Sequence, residues 1–262
     1  MIYVVGGTGF VGSAYVRLFT RLGLEHRVVT RTTWKELSGT HCDILVNANG
    51  NSRKFLADEQ PLLDFEQSVR SFAESFEGFS CRTYVLLSSG DVYPDQSSSE
   101  LTAEGQTIDP AKVSRYGQHK LLAEQLVRGR AREWLILRMG GFVGPGLKKN
   151  AVFDMLHNAA VWLSPDSELQ FISTDRAAEI VWSLVEHGVR REVVNLGAEG
   201  LVRLRQLHKQ LGSRSEFKPG APKIRYELSL AKLKALYRGT LPKSCDEVGD
   251  FVGHWRKDAA EP

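Results

Sequence analysis

A glycine-rich loop at the start of the chain limits the possible folds more than any other feature. The apolar run Ile2–Val5 leads directly into GGTGFVG at residues 6–12, and apolar residues then recur at helical spacing. In such a loop Gly6 permits a tight turn, Gly9 lets the backbone approach a pyrophosphate, and Gly12 lets the helix pack closely on the strand. Free N–H groups at the start of the helix favour a phosphate. The segment therefore predicts a strand–loop–helix unit that binds a dinucleotide.

Short apolar runs and helical patterns alternate along the rest of the chain. The predicted strands lie at residues 27–29, 44–46, 84–87, 134–137 and 193–196, and the predicted helices at 62–76, 116–130, 152–162 and 174–186, the last with Thr174 as its N-cap. Strands that alternate with helices form a parallel sheet covered on both faces. We therefore expect an α/β fold, with a Rossmann-type doubly wound parallel sheet in residues 1–150 and a small α/β substrate lobe in residues 151–262.

Composition bears on compartment and on metal binding. No apolar run approaches the roughly 18 residues that a membrane span needs, and the first residues do not resemble a signal peptide. The three cysteines, Cys42, Cys81 and Cys245, are far apart and odd in number, so no disulfide framework is expected. The seven histidines have no metal-ligand spacing. We expect a cytoplasmic protein that binds no metal.

Positive charge is concentrated in residues 201–240. That segment holds ten Lys/Arg against Glu216 and Glu227, a local net charge of +8, which leaves −5 for the rest of a chain whose net charge is +3. A basic lobe of this kind suits an anionic ligand, and the alternative is a solvated face. No basic motif interleaved with aromatic residues occurs in it, so nucleic acid is not expected as a partner.

The end of the second predicted strand indicates which dinucleotide is bound. An acidic residue at this place would accept hydrogen bonds from the ribose hydroxyls of NAD, but the strand ends in Thr30 and Arg31. An arginine can pair with the 2′-phosphate of NADP. Arg31 therefore favours NADP(H), with NAD(H) as the alternative if Arg31 is only a surface charge.

Tyr116 and Lys120 form a potential acid–base pair. A spacing of four places both side chains on one face of the predicted helix. A tyrosine has a pKa near 10, and a nearby ammonium lowers that pKa because it favours the phenolate. Ser89 ends a predicted strand upstream and is the expected partner of the pair. His119 is expected on the helix surface, and Arg138 is expected to form an ion pair rather than to act in catalysis.

These segments together resemble the extended short-chain dehydrogenase/reductases, the NAD-dependent epimerase/dehydratase group that acts mainly on nucleotide sugars. The resemblance covers nearly the whole chain. It rests on GGTGFVG at 6–12, DILVNANG at 43–50, VLLSSGDVY at 85–93, SRYGQHKLLAEQLV at 114–127, ILRMGGFVGPG at 136–146, FISTDRAA at 171–178 and VNLG at 194–197.

The resemblance implies roles for individual residues. Ser89, Tyr116 and Lys120 correspond to the catalytic residues, and Lys120 also to the residue that holds the nicotinamide ribose. The implied cofactor-binding set is Gly6, Thr8, Gly9, Phe10, Val11, Gly12, Arg31, Asn47, Ala48, Asn49, Ser88, Tyr116 and Lys120. The implied partners are a nucleotide-diphospho-sugar, whose pyrophosphate suits the basic lobe, and a second copy of the chain, which would pair through the helices at 62–76 and 116–130.

Departures from the family pattern narrow the expected reaction. Residues between Arg31 and Asp43 are too few for the usual extra strand and helix, so one sheet edge should be shortened. Sugar dehydratases of the family carry an Asp–Glu pair where this chain has Gly90-Asp91, which argues against dehydration. Pro94 replaces a usual glycine and is interpreted as a loop variation. We expect a 4-keto-sugar reductase. A sugar epimerase is the alternative, and a non-catalytic NADP-sensing regulator is a distant one, disfavoured by the Tyr/Lys pair.

Overall fold

A six-stranded parallel sheet forms the centre of the molecule. The structure, a computed structural model, describes residues 1–258. Its strands are β1 Ile2–Val5, β2 His26–Val29, β3 Thr40–Asn47, β4 Phe79–Ser89, β5 Glu133–Met139, β6 Gly141–Val143, β7 Glu168–Leu169, β8 Phe171–Ser173, β9 Glu192–Leu196, β10 Val202–Arg203 and β11 Arg225–Tyr226. The central sheet has the order β2-β1-β3-β4-β5-β9, with every pair parallel.

Helices cover both faces of this sheet. They are α1 Gly12–Arg21, α2 Trp34–Leu37, α3 Lys54–Glu59, α4 Pro61–Phe65, α5 Ser71–Gly78, α6 Arg115–Arg130, α7 Ala151–Leu156, α8 Thr174–Glu186, α9 Leu204–Leu211, α10 Ala231–Leu236 and α11 Ser244–Asp258. A π-helical turn, Glu66–Arg70, joins α4 to α5. No helix in the described residues is long and apolar enough to cross a membrane.

Two apolar clusters on the sheet faces confirm the doubly wound arrangement. One joins Val4 and Leu135 to α1 and α8, and the other joins Leu45 and Leu86 to α5 and α6. The sheet ends at β2, because only the four-residue helix α2 lies between β2 and β3. The expected shortening of this edge is therefore present.

Two predicted details in the second half of the chain are wrong. The helix expected over 152–162 ends at Leu156, and Val161 instead forms a bridge with Phe217. Helix α8 has its predicted bounds, but Ser173 is its N-cap and accepts the Arg176 N–H at 3.2 Å. The Thr174 hydroxyl is buried and has no partner among the described residues. Adjacent Ser and Thr are both good caps, so residue type alone did not distinguish them.

The smaller lobe is built on a three-stranded sheet, β10-β7-β11, and on the pair β6-β8. Helices α7, α9 and α11 contribute to its own apolar cluster. Not every element after residue 150 belongs to it, because β9 pairs with β5 in the central sheet and α8 packs on α1. The chain therefore returns to the dinucleotide lobe after residue 150, and a division at that point separates α8, β9 and α10 from the sheet that they cover or extend.

Candidate functional site

The glycine loop forms a cradle at the start of α1, where Gly6, Gly9 and Gly12 provide backbone without side chains. Gly6 has a φ of +76°, and the Gly9 N–H donates to the Gly6 carbonyl at 2.9 Å. A Cβ on Gly12 would lie 2.2 Å from the Gly6 carbonyl oxygen, so no other residue fits there. Val11, the N-cap of α1, provides no side-chain cap for the helix N–H groups. These features fit a dinucleotide pyrophosphate, which needs close backbone approach and free N–H donors.

The segment after β3 closes one side of this cradle. A Cβ on Gly6 would lie 3.0 Å from the Ala48 carbonyl and from the Asn49 nitrogen. The Asn47 side chain faces inward instead: its amide donates to the Tyr84 hydroxyl at 2.7 Å, and its carbonyl accepts the Asn49 N–H at 3.0 Å. Asn47 thus shapes the loop from behind, whereas the backbone of Ala48 and Asn49 lies beside the glycines.

The remaining predicted cofactor residues differ in their surroundings. Thr8 is exposed, and Phe10 and Val11 are half-buried beside the loop. Arg31 is exposed and follows the carboxyl end of β2, next to β1, from which the glycine loop departs. The Ser88 hydroxyl donates to Glu124 at 2.7 Å inside the protein. Arg31 therefore lies at the same end of the sheet as the glycine loop, whereas the Ser88 hydroxyl is used internally.

Ser89, Tyr116 and Lys120 come together where β4 ends against the start of α6. Ser89 is the last residue of β4, and Tyr116 and Lys120 lie in the first two turns of α6. The Lys120 ammonium is 5.6 Å from the centre of the Tyr116 ring, and both residues are at least nine-tenths buried. The helix approaches the strand this closely because Gly117 lacks a Cβ, which would lie 2.1 Å from the Asp91 carbonyl oxygen.

The pKa of Tyr116 is raised in the protein alone, contrary to the sequence-based expectation. Burial is the main cause, and Asp91 and Asp64 add to it, whereas the Ser89 hydroxyl acts in the opposite direction. Burial also lowers the pKa of Lys120 to about 8, against the charges of Asp64, Asp91 and Glu124. Desolvation therefore outweighs the ammonium. At neutral pH Tyr116 carries its proton and can donate it.

Asp91 and Lys54 also contact this group of residues. The sequence analysis noted Asp91 only as part of the Gly90-Asp91 pair and did not single out Lys54. The Ser89 hydroxyl donates to Asp91 Oδ2 at 2.8 Å, and the Asp91 N–H donates to Ser89 Oγ at 3.2 Å. Lys54, the first residue of α3, donates to Asp91 Oδ1 at 2.6 Å. The serine is thus oriented by a carboxylate that a lysine in turn holds.

Tyr226 reaches the same place from the smaller lobe. The Ser89 hydroxyl lowers the pKa of Tyr226, and it also lowers the pKa of Tyr116. The Ser89 hydroxyl is therefore close to both phenol groups. A Cβ on Gly90 would lie 2.5 Å from the Tyr226 hydroxyl. The Lys54 ammonium lies 5.3 Å from the centre of the Tyr226 ring. The one sequence signal nearby was Gly90, noted above only as a missing acid.

A buried ion pair fastens α6 to the central sheet. Arg138 on β5 donates to both oxygens of Glu124, at 3.1 and 2.8 Å, and to the Tyr93 hydroxyl at 3.0 Å. Tyr93 in turn donates to Asn195 at 2.9 Å. Ser88 donates to the same glutamate, so the pair connects the end of β4 with α6. The prediction that Arg138 forms an ion pair is confirmed.

His119 is not on the helix surface, so that prediction is wrong. It is buried, and its Nδ1 lies 2.5 Å from Asp64 Oδ2. Asp64 is fully buried and also accepts from the Asn51 amide at 2.7 Å and from the Ser68 hydroxyl at 3.2 Å. The error arose because α6 is covered by the α4–α5 segment on the side where His119 projects, which the helical pattern of α6 did not reveal.

Half of the ten cations in residues 201–240 are neutralised by acids. The pairs are Arg203–Glu168, Arg225–Glu168, Arg205–Asp166, Lys232–Glu192 and Lys234–Glu199. This favours the solvated face over a basic ligand-binding lobe. Another group of cations, Arg53, Lys54 and Lys149, lies beside the site. Burial of Lys149 and the charges of Arg53 and Lys54 lower the pKa of Lys149.

Comparison with solved structures agrees with this fold. A crystal structure of a UDP-galactose 4-epimerase is 24% identical with a TM-score of 0.77, over 98% of this chain and 99% of that one. MoeE5 in complex with UDP-glucuronic acid and NAD is 16% identical with a TM-score of 0.83, over 98% and 99%. RMD from Pseudomonas aeruginosa complexed with NADPH is 18% identical with a TM-score of 0.76, over 97% and 99%. At these identities the likeness concerns the fold.

Sequence comparison identifies the family. No curated protein matches the chain. The sequence profile of the NAD dependent epimerase/dehydratase family matches residues 2–197, which include the glycine loop, Ser89 and the Tyr116–Lys120 pair. The match spans most of the chain and agrees with the doubly wound sheet, so this chain belongs to the NAD-dependent epimerase/dehydratase family.

Proposed function

We propose that the protein is an NAD(P)-dependent oxidoreductase that reduces a nucleotide-linked 4-keto sugar. The observation that carries this proposal is the meeting of Ser89, Tyr116 and Lys120 beside the glycine cradle at the carboxyl ends of the strands. This edge is where open α/β sheets bind their ligands. The family and its nucleotide-sugar-binding structural neighbours support the substrate class.

The residues of the site can perform a ketone reduction. The glycine cradle would hold NADPH, and this cofactor would supply the hydride that the carbonyl carbon of the sugar needs. Ser89 and Tyr116 hydrogen-bond the carbonyl oxygen, and Tyr116 gives its phenolic proton to that oxygen as negative charge develops. In the protein alone the Ser89 hydroxyl donates to Asp91, so it turns away from that carboxylate to donate to the carbonyl oxygen of the substrate. Lys120 holds the nicotinamide ribose, and its positive charge stabilises the phenolate left on Tyr116.

The experiment that tests this proposal compares NADPH consumed with sugar reduced. A reductase needs a cofactor that exchanges with solvent, whereas an epimerase returns the hydride and retains NAD. Arg31 favours the reductase, because it suits NADPH, the usual reductant. The epimerase remains the alternative outcome, since a structural neighbour named as a UDP-galactose 4-epimerase has the same fold. Either outcome would leave the proposed roles of Ser89, Tyr116 and Lys120 unchanged.

Arg31→Asp should reverse the cofactor preference. The change removes a partner for the 2′-phosphate, adds repulsion against it, and provides an acceptor for the ribose hydroxyls. We expect NADPH affinity to fall about 10- to 100-fold, the size of a hydrogen-bonded charge contact, while NADH affinity rises. Fluorescence titration of both cofactors measures this.

The matched control for Arg31 is Arg238→Asp. Arg238 is exposed and follows α10, which packs on β9 at the opposite edge of the sheet from β2. The Arg238→Asp substitution makes the same charge change far from the cradle. The affinities for NADPH and for NADH should both stay at wild-type values. Equal NADH and NADPH affinity in the wild type would show that Arg31 is only a surface charge.

A symmetric homodimer is the proposed assembly. Exposed apolar residues cluster on α4 and α6: Leu62 is 81% exposed, and Leu63, Phe65 and Leu122 are also exposed. A groove lined by Phe65, Val69, Leu122 and Leu126 runs between these elements. An apolar face of this kind on a soluble chain suits the same face of a second copy, which would form a four-helix seam.

Leu122→Glu should convert the dimer to a monomer. A carboxylate in the centre of the seam would be buried opposite its own symmetry copy, so dissociation at micromolar concentration is expected. Trp162→Glu is the control, because Trp162 is an exposed aromatic residue of the smaller lobe. Light scattering coupled to size exclusion measures both masses. A monomeric wild type would contradict the assembly.

A further inference from the structure

A buried polar cluster joins the loop after β3 to the helices that cover α6. Asp64 on α4 is fully buried. It accepts hydrogen bonds from His119 Nδ1 at 2.5 Å, from the Asn51 amide at 2.7 Å and from the Ser68 hydroxyl at 3.2 Å. A carboxylate can only accept, so Nδ1 of His119 carries the hydrogen of the shared bond. Both oxygens of Asp64 are therefore satisfied by donors that need no positive charge.

Asp64 holds the loop after β3 through Asn51. The Asn51 amide also donates to the Arg53 carbonyl at 2.7 Å, and the Asn51 side-chain carbonyl accepts the Arg53 N–H at 2.7 Å. Gly50, the preceding residue, has a φ of +110°, and a Cβ there would lie 3.2 Å from the Lys120 ammonium nitrogen. Lys120 therefore lies against a piece of backbone whose path is set from Asp64.

The charge of Lys120 depends on the groups around it. Its ammonium lies 5.8 Å from the centre of the Phe72 ring and 5.6 Å from that of the Tyr116 ring. Burial lowers the pKa of Lys120 to about 8, and the charges of three carboxylates oppose this effect. These carboxylates are Asp64, Asp91 and Glu124. No hydrogen bond from a described residue contributes to that pKa, so charge alone keeps the lysine protonated against burial.

Two of the three carboxylates already have cationic partners. Asp91 pairs with the Lys54 ammonium at 2.6 Å, and Glu124 pairs with the Arg138 guanidinium at 2.8 Å. Within residues 1–258, Asp64 pairs with no lysine or arginine, and its donors are an imidazole, an amide and a hydroxyl. A neutral donor leaves the charge of a carboxylate in place. The negative charge of Asp64 is therefore the one that remains for the buried ammonium.

We propose that Asp64 is a positioning residue for Lys120, and that the hydrogen bond from His119 keeps Asp64 ionised. Asp64 holds the backbone at Gly50 against the lysine and supplies the negative charge that keeps the buried ammonium protonated. The consequence for turnover rests on the proposed function, in which Lys120 stabilises the phenolate of Tyr116. Without the charge of Asp64, a neutral lysine would replace the ammonium beside that phenolate.

Asp64→Asn removes the charge and keeps the shape of the side chain. Protein that is isotope-labelled at the lysine Cε atoms is titrated by NMR, and the Lys120 signal is identified by its absence from Lys120→Met. We expect the pKa of Lys120 to fall by about one unit, the lower end of what a nearby opposite charge produces. Asp58→Asn, an exposed change on the neighbouring helix α3, should leave that pKa unchanged. An unshifted pKa in Asp64→Asn would overturn the proposal.

Two substitutions of His119 separate its hydrogen bond from its ring. The amide nitrogen of asparagine occupies nearly the place of histidine Nδ1, so His119→Asn can still donate to Asp64, whereas His119→Leu cannot. We expect His119→Asn to keep the wild-type pKa of Lys120. His119→Leu should lower that pKa, because a buried carboxylate that loses a donor takes up a proton more readily. Equal Lys120 pKa values in the two variants would overturn the role of His119.

The pH dependence of turnover separates this inference from the proposed reaction. NADPH oxidation should decline as the pH rises through the pKa of Lys120, and in Asp64→Asn the decline should begin about one pH unit lower. A shifted Lys120 pKa without NADPH oxidation by the wild type would reject the proposed reaction and keep the role of Asp64. Identical pH profiles in an active wild type and Asp64→Asn would keep the reaction and overturn the inference. If Asp64→Asn does not fold, His119→Leu provides the same test, since the carboxyl group stays in place.

Discussion

Tyr116→Phe should reduce turnover by 10²- to 10⁴-fold, the usual contribution of a general acid or base. The substitution removes only the phenolic oxygen, which faces Ser89 at the end of β4. Tyr116 is at least nine-tenths buried, and phenylalanine keeps the ring that packs near Lys120. We therefore expect kcat to fall while the affinity for NADPH and the melting temperature stay near the wild-type values.

The control for this loss is Tyr237→Phe, because Tyr237 follows α10 at the far edge of the sheet. Steady-state kinetics with a nucleotide-linked 4-keto sugar and calorimetric titration of NADPH measure the two quantities. Activity of Tyr116→Phe within a few-fold of the wild type would remove Tyr116 from the mechanism. Loss of NADPH binding in parallel with activity would show instead that the residue supports the cofactor site.

Arg138→Met should produce the largest loss of stability. It leaves the carboxylate of Glu124 buried, without the arginine that donates to both of its oxygens. Breaking a buried ion pair from one side typically costs 3–5 kcal/mol, so the free energy of unfolding should fall by about that amount. Since Ser88 donates to the same glutamate, the end of β4 beside Ser89 should loosen as well.

The double variant Arg138→Met, Glu124→Leu should recover most of this loss, because no unpaired charge then remains buried. Arg205→Met is the surface control: its pair with Asp166 is largely exposed, so a change below about 1 kcal/mol is expected. Urea denaturation measures all three variants. A double variant as unstable as Arg138→Met alone would show that the polar network, rather than the unpaired charge, determines the loss.

Local spacing made the dinucleotide half of the fold predictable. Gly9 and Gly12 both approach the Gly6 carbonyl within one loop, so the roles of these glycines follow from residues close in the chain. The same holds for Tyr116 and Lys120, one helical turn apart. The position of Ser89 followed from its place at the end of an apolar run. Each of these predictions needed only a strand, a helix and the connection between them.

Contacts between distant segments could not be predicted in this way. Tyr226 lies on a two-residue strand that has no periodic signal, and only the packing of the smaller lobe brings it to Ser89. The inward position of His119 depends on Asp64 from α4. The raised pKa of Tyr116 depends on burial and on carboxylates from two other elements, whereas the sequence showed only the lysine one turn away.

The stoichiometry of NADPH oxidation distinguishes a 4-keto-sugar reductase from an epimerase. Purified protein is first assayed for bound nucleotide, then mixed with NADPH and a nucleotide-linked 4-keto sugar while absorbance and sugar products are followed together. We expect purified protein that is largely free of cofactor, and one NADPH oxidised for each sugar reduced. Stoichiometric bound NAD, with sugar isomers interconverted and no NADPH consumed, would contradict it.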